Sequence, residues 1–156
     1  MHQIKTGDGR LELSDGGKNR IWQTALRALA EGDIDEAVGQ FAEQFTFTDH
    51  ALGLEFKEKD QLHKYFAKAR EMFPKSERTD QTIFNNRDVI ISEWRLKDIE
   101  SQPFLYGRFL EINIEAQGLS VVRVSDGRIV EWSEYYDQIG SRRYRLAGQF
   151  SDWREV

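Results

Sequence analysis

From Lys18 to Ala30 the apolar residues Ile21, Trp22, Ala25, Leu26 and Leu29 recur at helical spacing. Ser14 or Asp15 lies upstream as a cap and Gly32 stands where the helix must stop. Asp33 then opens a second, short helix, whose Ile34, Ala37, Val38 and Phe41 fall at i, i+3, i+4 and i+7. There the period changes. Phe45 to Asp49, FTFTD, alternates apolar and polar positions and reads as a strand. After a loop at His50 to Gly53, Lys57 to Phe73 predicts a third helix with Leu62, Phe66, Ala69 and Phe73 inward, closed by Pro74.

The rest of the pattern is strand. Arg78 to Phe84, Val89 to Ile99 and Phe104 to Glu115 are separated by Asn85-Asn86-Arg87-Asp88 and Ser101-Gln102-Pro103. A break at Ala116-Gln117-Gly118 reads as a bulge or a turn, since glycine inside a strand pattern marks either. Leu119 to Asp137 forms a last hairpin, with Ser125-Asp126-Gly127 as its turn. Its second strand puts Val130, Trp132, Glu134 and Tyr136 on one face and Glu131, Ser133, Tyr135 and Asp137 on the other. Both faces carry rings and acids, so neither reads as an ordinary core face, and one of them is expected to line a pocket. Helices early and strands late imply an α+β fold, with the helices packed on one face of a curved, mostly antiparallel sheet.

Composition narrows the function classes. With 39% apolar and 31% charged residues, 156 residues suit one globular domain with a sizeable core. We expect a loose polar arm at 1–17, the domain at 18–140 and a tail at 141–156 whose Leu146, Phe150 and Trp153 make a helical stripe that packs on the domain. A formal charge of −5 argues against nucleic acid and anionic membranes as partners. The absence of cysteine removes disulfides, thiol catalysis and cysteine-bound zinc. Three scattered histidines give no metal-ligand spacing, and no glycine-rich loop sits between a strand and a helix to cradle phosphate. The expectation is a cytoplasmic protein with neither metal nor cofactor.

The segment Gly32 to His50, GDIDEAVGQFAEQFTFTDH, resembles the approach to the catalytic aspartate of ketosteroid isomerases. The ending SDGRIVEWSEYYD resembles the last hairpin of SnoaL-like polyketide cyclases and of limonene-epoxide hydrolases. All belong to the nuclear-transport-factor-like superfamily, so the resemblance, covering Ile21 to Asp137, implies a cone-shaped α+β barrel with three helices and a pocket at its wide end. By the same resemblance the isomerases' general base falls on Asp49. Their oxyanion tyrosine falls on Ala25 and their protonated aspartic acid on Ser120. Of the epoxide hydrolases' set, the last acid falls on Glu134, while Trp94 and Leu96 stand at the arginine and the other aspartate, and Phe47 and Asp49 at the tyrosine and asparagine.

The resemblance therefore places Asp49, Trp94, Ser120 and Glu134 on the inner face, with Phe47, Leu96, Val122, Trp132 and Tyr136 in phase and His50 beside the base. A carboxylate among rings is desolvated, which suits it to proton transfer near neutral pH, and a second acid nearby would divide the roles of donor and acceptor. The expected catalytic pair is Asp49 and Glu134, and the other eight positions bind substrate. The activity implied is cofactor-independent acid–base chemistry, isomerase- or polyketide-cyclase-like, on a small apolar ligand. The alternatives are a non-catalytic small-molecule-binding domain and an epoxide-hydrolase-like enzyme with an altered site. Two structural roles compete for the acids: Asp49 as a cap for the amides of Leu52 or Gly53, and Glu134 as an ion-pair partner of Arg123 or Arg128. The outward set Arg95, Arg123, Glu131, Ser133 and Tyr135 suits a self-complementary patch, so a homodimer is expected.

Overall fold

In the computed structural model, helix α1 (Asp15–Glu31) buries Trp22 and Ala25 of the predicted stripe, packs Ile21, Leu26 and Leu29 partly buried beside them, and adds Ala28. Residues 4–5, 11–12, 15–86, 88–103 and 109–137 are described, so the tail helix expected around Leu146 and Trp153 lies outside them. Gly32 ends α1 at φ +82°, a left-handed conformation that a side chain would strain. Asp33 caps α2 (Ile34–Gly39), its Oδ1 accepting from the Glu36 amide at 2.9 Å. The helix is shorter than its stripe suggests. Phe41 already belongs to strand β3 (Phe41–Asp49), where it is buried and stacks parallel to Trp132 with centroids 5.8 Å apart.

Two short strands, β1 (Ile4–Lys5) and β2 (Leu11–Glu12), pair antiparallel by themselves. A further strand not foreseen in the loop after Asp49, β4 (Leu54–Phe56), pairs with β3, and α3 (Lys59–Met72) follows it. The remaining strands are β5 (Glu77–Asn85), β6 (Val89–Pro103), β7 (Phe109–Ser125) and β8 (Arg128–Tyr136). They form an open six-stranded sheet in the order β4-β3-β8-β7-β6-β5, antiparallel except for the β3–β8 pair. Three helices on this sheet bury a core of Phe41, Phe45, Phe47, Phe56, Leu62, Phe66, Ile90, Val122, Ile129 and Trp132.

Three local features set the sheet's register. The β7–β8 turn has Asp126 at φ 49° and Gly127 at φ 74°, the pair of positive angles a two-residue hairpin turn needs. Val130 is then an unpaired extra residue, because Arg123 opposes Glu131 while Val124 opposes Ile129. The expected in-phase position of Val130 is thereby corrected: Ile129 takes the buried place, and the bulge returns Trp132 and Glu134 to the same inner face. A second bulge at Ile83 lies between the pairs Thr82–Ser92 and Phe84–Ile91. It flips the face of everything upstream, so Arg78 and Asp80 oppose the inward Leu96 and Trp94.

No break interrupts β7 at Ala116 to Gly118. Gly118 sits in continuous pairing between Trp94 and Tyr136. A Cβ there would lie 2.6 Å from Trp94 Cζ2 and would also collide with the Tyr135 carbonyl. The glycine is thus explained by the indole lying over it. We expect Gly118→Ala to lower stability by roughly 1–3 kcal/mol through forced displacement of Trp94, as in overpacked cores, measured by urea denaturation; an unchanged midpoint would show that the sheet can yield there.

Candidate functional site

A cavity of about 270 Å³ opens between the inner face of the sheet and helices α1 and α3. The space is roughly that of nine waters in the liquid, the scale of a small organic molecule. Its most buried lining residues are Phe47, Asp49, Tyr65, Phe66, Trp94, Trp132 and Glu134, which make the floor. Less buried Leu26, Leu29, Ala69, Phe73, Leu96 and Ala116 make an apolar rim. The polar end is deep and the greasy end is outside.

Asp49 ends β3 and is only 1% exposed. Its Oδ2 accepts from the phenols of Tyr65, on α3, at 2.7 Å and Tyr136, on β8, at 2.9 Å. Its Oδ1 accepts the Leu52 amide at 2.9 Å, so one side chain both caps the loop and lines the cavity. Burial pushes the Tyr65 phenol well above its ordinary pKa, and the charge of Asp49 adds to the effect, so this donor keeps its proton. Phe56, Tyr65 and Phe66 pack on Phe47, which supports the phenol from behind.

Glu134, on β8, is 5% exposed and accepts four hydrogen bonds. Arg78 Nη1 at 2.9 Å and Trp132 Nε1 at 2.8 Å reach Oε1, while Trp94 Nε1 at 2.8 Å and Ser120 Oγ at 2.9 Å reach Oε2. All four acceptor directions of the carboxylate are occupied. The alternative pairing with Arg123 or Arg128 does not occur: Arg123 faces outward and bonds Glu131 at 2.9 Å.

Sequence reasoning passed over Tyr65, Asp80 and, with the most contacts, Arg78. Its Nε and Nη2 grip Asp80 as a fork at 2.8 and 3.0 Å, and Nη2 also donates to Ser120 Oγ at 2.7 Å. Ser92 adds a hydrogen bond to Asp80 at 3.1 Å, and the guanidinium lies 4.8 Å from the Trp94 ring centroid. Burial works against the charge on Arg78, but Glu134 and Asp80 more than offset it and raise its pKa above the ordinary guanidinium value. An acid–arginine–acid group is therefore present, one strand over from Trp94 and Leu96. The visible signal was R-x-D on one face of a strand, but β5 is otherwise largely exposed and polar, so it read as a solvated edge.

The other expected site residues divide into three groups. Phe47, Trp94, Leu96, Trp132 and Tyr136 line the cavity with Asp49 and Glu134. Ser120 and Val122 are fully buried behind the wall, Ser120 as the relay between Arg78 and Glu134 and Val122 in the core. His50 is exposed and stacks on Tyr135 at 4.2 Å, because the residue after Asp49 in a pleated chain points to the opposite side. It does not line the cavity. Ala25, at the isomerases' tyrosine position, is buried in the core.

Residues 22–132 match the model of the SnoaL-like domain. A search of curated proteins found no significant match. Among solved structures, the chain is similar to a candidate SnoaL-like polyketide cyclase from Shewanella putrefaciens, at 9% identity over 83% of this chain and 85% of that one, with a TM-score of 0.67. An NTF2-like protein from Burkholderia xenovorans aligns at 15% identity over 83% and 96% of the two chains, with a TM-score of 0.65. A protein with a ketosteroid-isomerase-like fold from Catenulispora acidiphila, solved with trimethylamine, aligns at 17% identity over 75% and 85%, with a TM-score of 0.59. At these identities the likeness concerns the fold.

Because Glu134 joins Arg78, two indoles and a serine, its loss should be felt as stability. Glu134→Gln removes the charge facing Arg78 and turns an amide toward the donors of Trp94 or Trp132. We expect a loss of roughly 3–5 kcal/mol, the range for breaking one side of a buried pair, read by chemical denaturation. A loss under about 1 kcal/mol would place the pair in the weak class of solvent-exposed bridges.

Proposed function

The chain belongs to the SnoaL-like domain family, and we propose that it is a cofactor-independent acid–base enzyme of the isomerase or polyketide-cyclase kind acting on a small, mostly apolar substrate. The observation that carries this reading is Asp49: a buried carboxylate on the floor of a ring-lined cavity, with one acceptor position of Oδ1 still unused. Tyr65 and Tyr136 aim Oδ2 and leave Oδ1 for the substrate. Asp49 takes a proton from an acidic C–H, the electron pair moves into the substrate's own conjugated carbonyls, and the proton returns at another atom. The substrate must delocalise that charge itself, because Ala25 offers no donor and Ser120 already donates to Glu134. A β-dicarbonyl or polyketide-like compound meets this condition.

In this reading Glu134 fixes Arg78, Trp94 and Trp132 in place and is not a proton carrier, a revision of the expected catalytic pair. A hydrolytic alternative is favoured by one observation, the Asp80–Arg78–Glu134 group. There the free oxygen of Asp80 would take a proton from an attacking water while the remaining N–H of Arg78 donates to the oxygen of the epoxide or ester bond that breaks. A non-catalytic binding role is the third reading, and the bound trimethylamine in the Catenulispora protein supports small-ligand occupancy of such a fold.

The protein is further proposed to form a two-fold dimer through the outer face of the sheet. Exposed Tyr135 and Leu119 are cross-strand partners there, beside the Arg123–Glu131 pair. Leu119→Glu should convert the dimer to monomer in sedimentation equilibrium at micromolar concentration. A wild-type chain already monomeric under those conditions removes the claim.

The catalytic test is proton exchange from simple β-dicarbonyl compounds into deuterated water, followed by NMR. The wild-type chain should accelerate exchange, and Asp49→Asn should slow it by roughly 10²–10⁴-fold, the span of one acid–base group. The variant should stay folded, since the amide oxygen can keep one or two of the three donors. Equal acceleration by a folded Asp49→Asn chain would move the base elsewhere. No acceleration by the wild type, together with ligand binding, would favour the binding role.

A further inference from the structure

Most donors on the floor of the cavity are already engaged. Tyr65 and Tyr136 donate to Asp49; Trp94, Trp132 and Ser120 donate to Glu134; Ser92 donates to Asp80. Of the five N–H groups of Arg78, Nε serves Asp80, the two of Nη2 serve Asp80 and Ser120, and one of Nη1 serves Glu134. Acceptors, by contrast, are in surplus. Among the described residues, Asp49 Oδ1 accepts only the Leu52 amide, and Asp80 Oδ2 accepts only Arg78 Nε.

Charge points the same way. The lining holds three carboxylates, Asp49, Asp80 and Glu134, and its cations are Arg78 and Arg70. Arg78 is enclosed by two of the acids. Arg70 is exposed and turned to the end of α1, where Nη1 donates to the carbonyls of Leu29 and Ala30 at 3.2 and 2.9 Å. The hydrogen bonds to Asp49 all come from neutral donors, so its charge is stabilised by dipoles alone. A ligand anion brought here would meet like charge in a desolvated space, and a carbonyl oxygen would find almost no donor.

Resting on the reading of this cavity as a ligand site, we propose that it selects small ligands whose head group donates hydrogen bonds and bears no negative charge. The apolar rim takes the body of the ligand, and the free oxygens of Asp49 and Asp80 take the head. An alcohol or enol satisfies the oxygens. A protonated amine satisfies them better, because it also answers the negative balance of the floor. Carboxylates are excluded, and so are simple ketones that, unlike a β-dicarbonyl compound, hold no appreciable enol hydroxyl.

The test is a titration of the full chain at neutral pH with four probes of matched size: 1-phenylethanol, 1-phenylethylamine, acetophenone and benzoate, read by calorimetry and by the fluorescence of the cavity tryptophans. The alcohol should bind about tenfold or more tighter than acetophenone, the worth of a hydrogen bond to a charged group. The amine should bind tightest and benzoate weakest. Acetophenone or benzoate binding as tightly as the alcohol overturns the proposal, whichever of the two it is. An alcohol that matches the amine keeps the donor rule and removes the charge contribution. Asp80→Asn offers an amide N–H where the carboxylate stood, so the alcohol–ketone gap should narrow and benzoate should improve; Asp49→Asn should act alike. An order unchanged in both folded variants overturns the assignment to these two oxygens. Failure of all four probes to bind overturns it too, together with the ligand-site reading. A correct order without proton exchange leaves selectivity standing and sinks only the enzymatic reading.

Discussion

The Arg78 guanidinium, held between Glu134 and Asp80, is the contact on which the site depends. It joins an outer strand, β5, to β8 in the middle of the sheet, and Ser120 of β7 and the ring of Trp94 on β6 complete the connection. Burying such a group is costly unless every charge has a partner and every lone pair a donor. Glu134 meets both conditions, while Asp80, less buried, keeps one acceptor of Oδ2 unused among the described residues. The two indoles that donate to Glu134 are also cavity walls, so ionic satisfaction and pocket shape are one arrangement: Trp94 and Trp132 cannot turn without uncovering the carboxylate.

The second acid is organised on a different principle. Asp49 has no guanidinium and is held by two phenols and an amide, with rings packed behind them. Its surroundings are polar only where they touch its oxygens. Among the cavity's carboxylates Glu134 is fully committed, while Asp49 and Asp80 each keep an unused acceptor, and the proposed proton transfer at Asp49 rests on this difference. The fold hosts varied functions, so the assignment rests on these particular contacts and not on the architecture.

Bulges decide which residues belong to the site. A strand alternates faces with period two, so one extra residue exchanges inside and outside for everything beyond it. Ile83 does this for β5 and delivers Arg78 and Asp80 to the cavity, and Val130 does it for β8 and lets both Ile129 and Trp132 point inward. The open sheet keeps the α+β order and mostly antiparallel pairing that the element pattern implies, while β3 and β8 run parallel, a non-local pairing that no short-range pattern reports.

Periodicity and turn chemistry alone were enough to determine the helices around Trp22 and Leu62, the Asp33 cap, the hairpin turn at Asp126-Gly127 and the α+β class, because each depends on neighbours within a few residues. The resemblance carried by GDIDEAVGQFAEQFTFTDH and SDGRIVEWSEYYD pointed to Asp49, Glu134 and the ring wall. Only the tertiary structure brought in Tyr65 and Arg78 as partners of those acids, turned His50 away, set Val122 behind the wall and gave Gly118 its reason in the indole above it. Those outcomes depend on cross-strand register and on long-range contacts, such as Tyr65 with Asp49 and Arg78 with Glu134, 16 and 56 positions apart. Register is set by single-residue bulges whose local sequence looks like any other strand, and that is why the charges of the site stayed hidden in a polar outer strand until the sheet was seen.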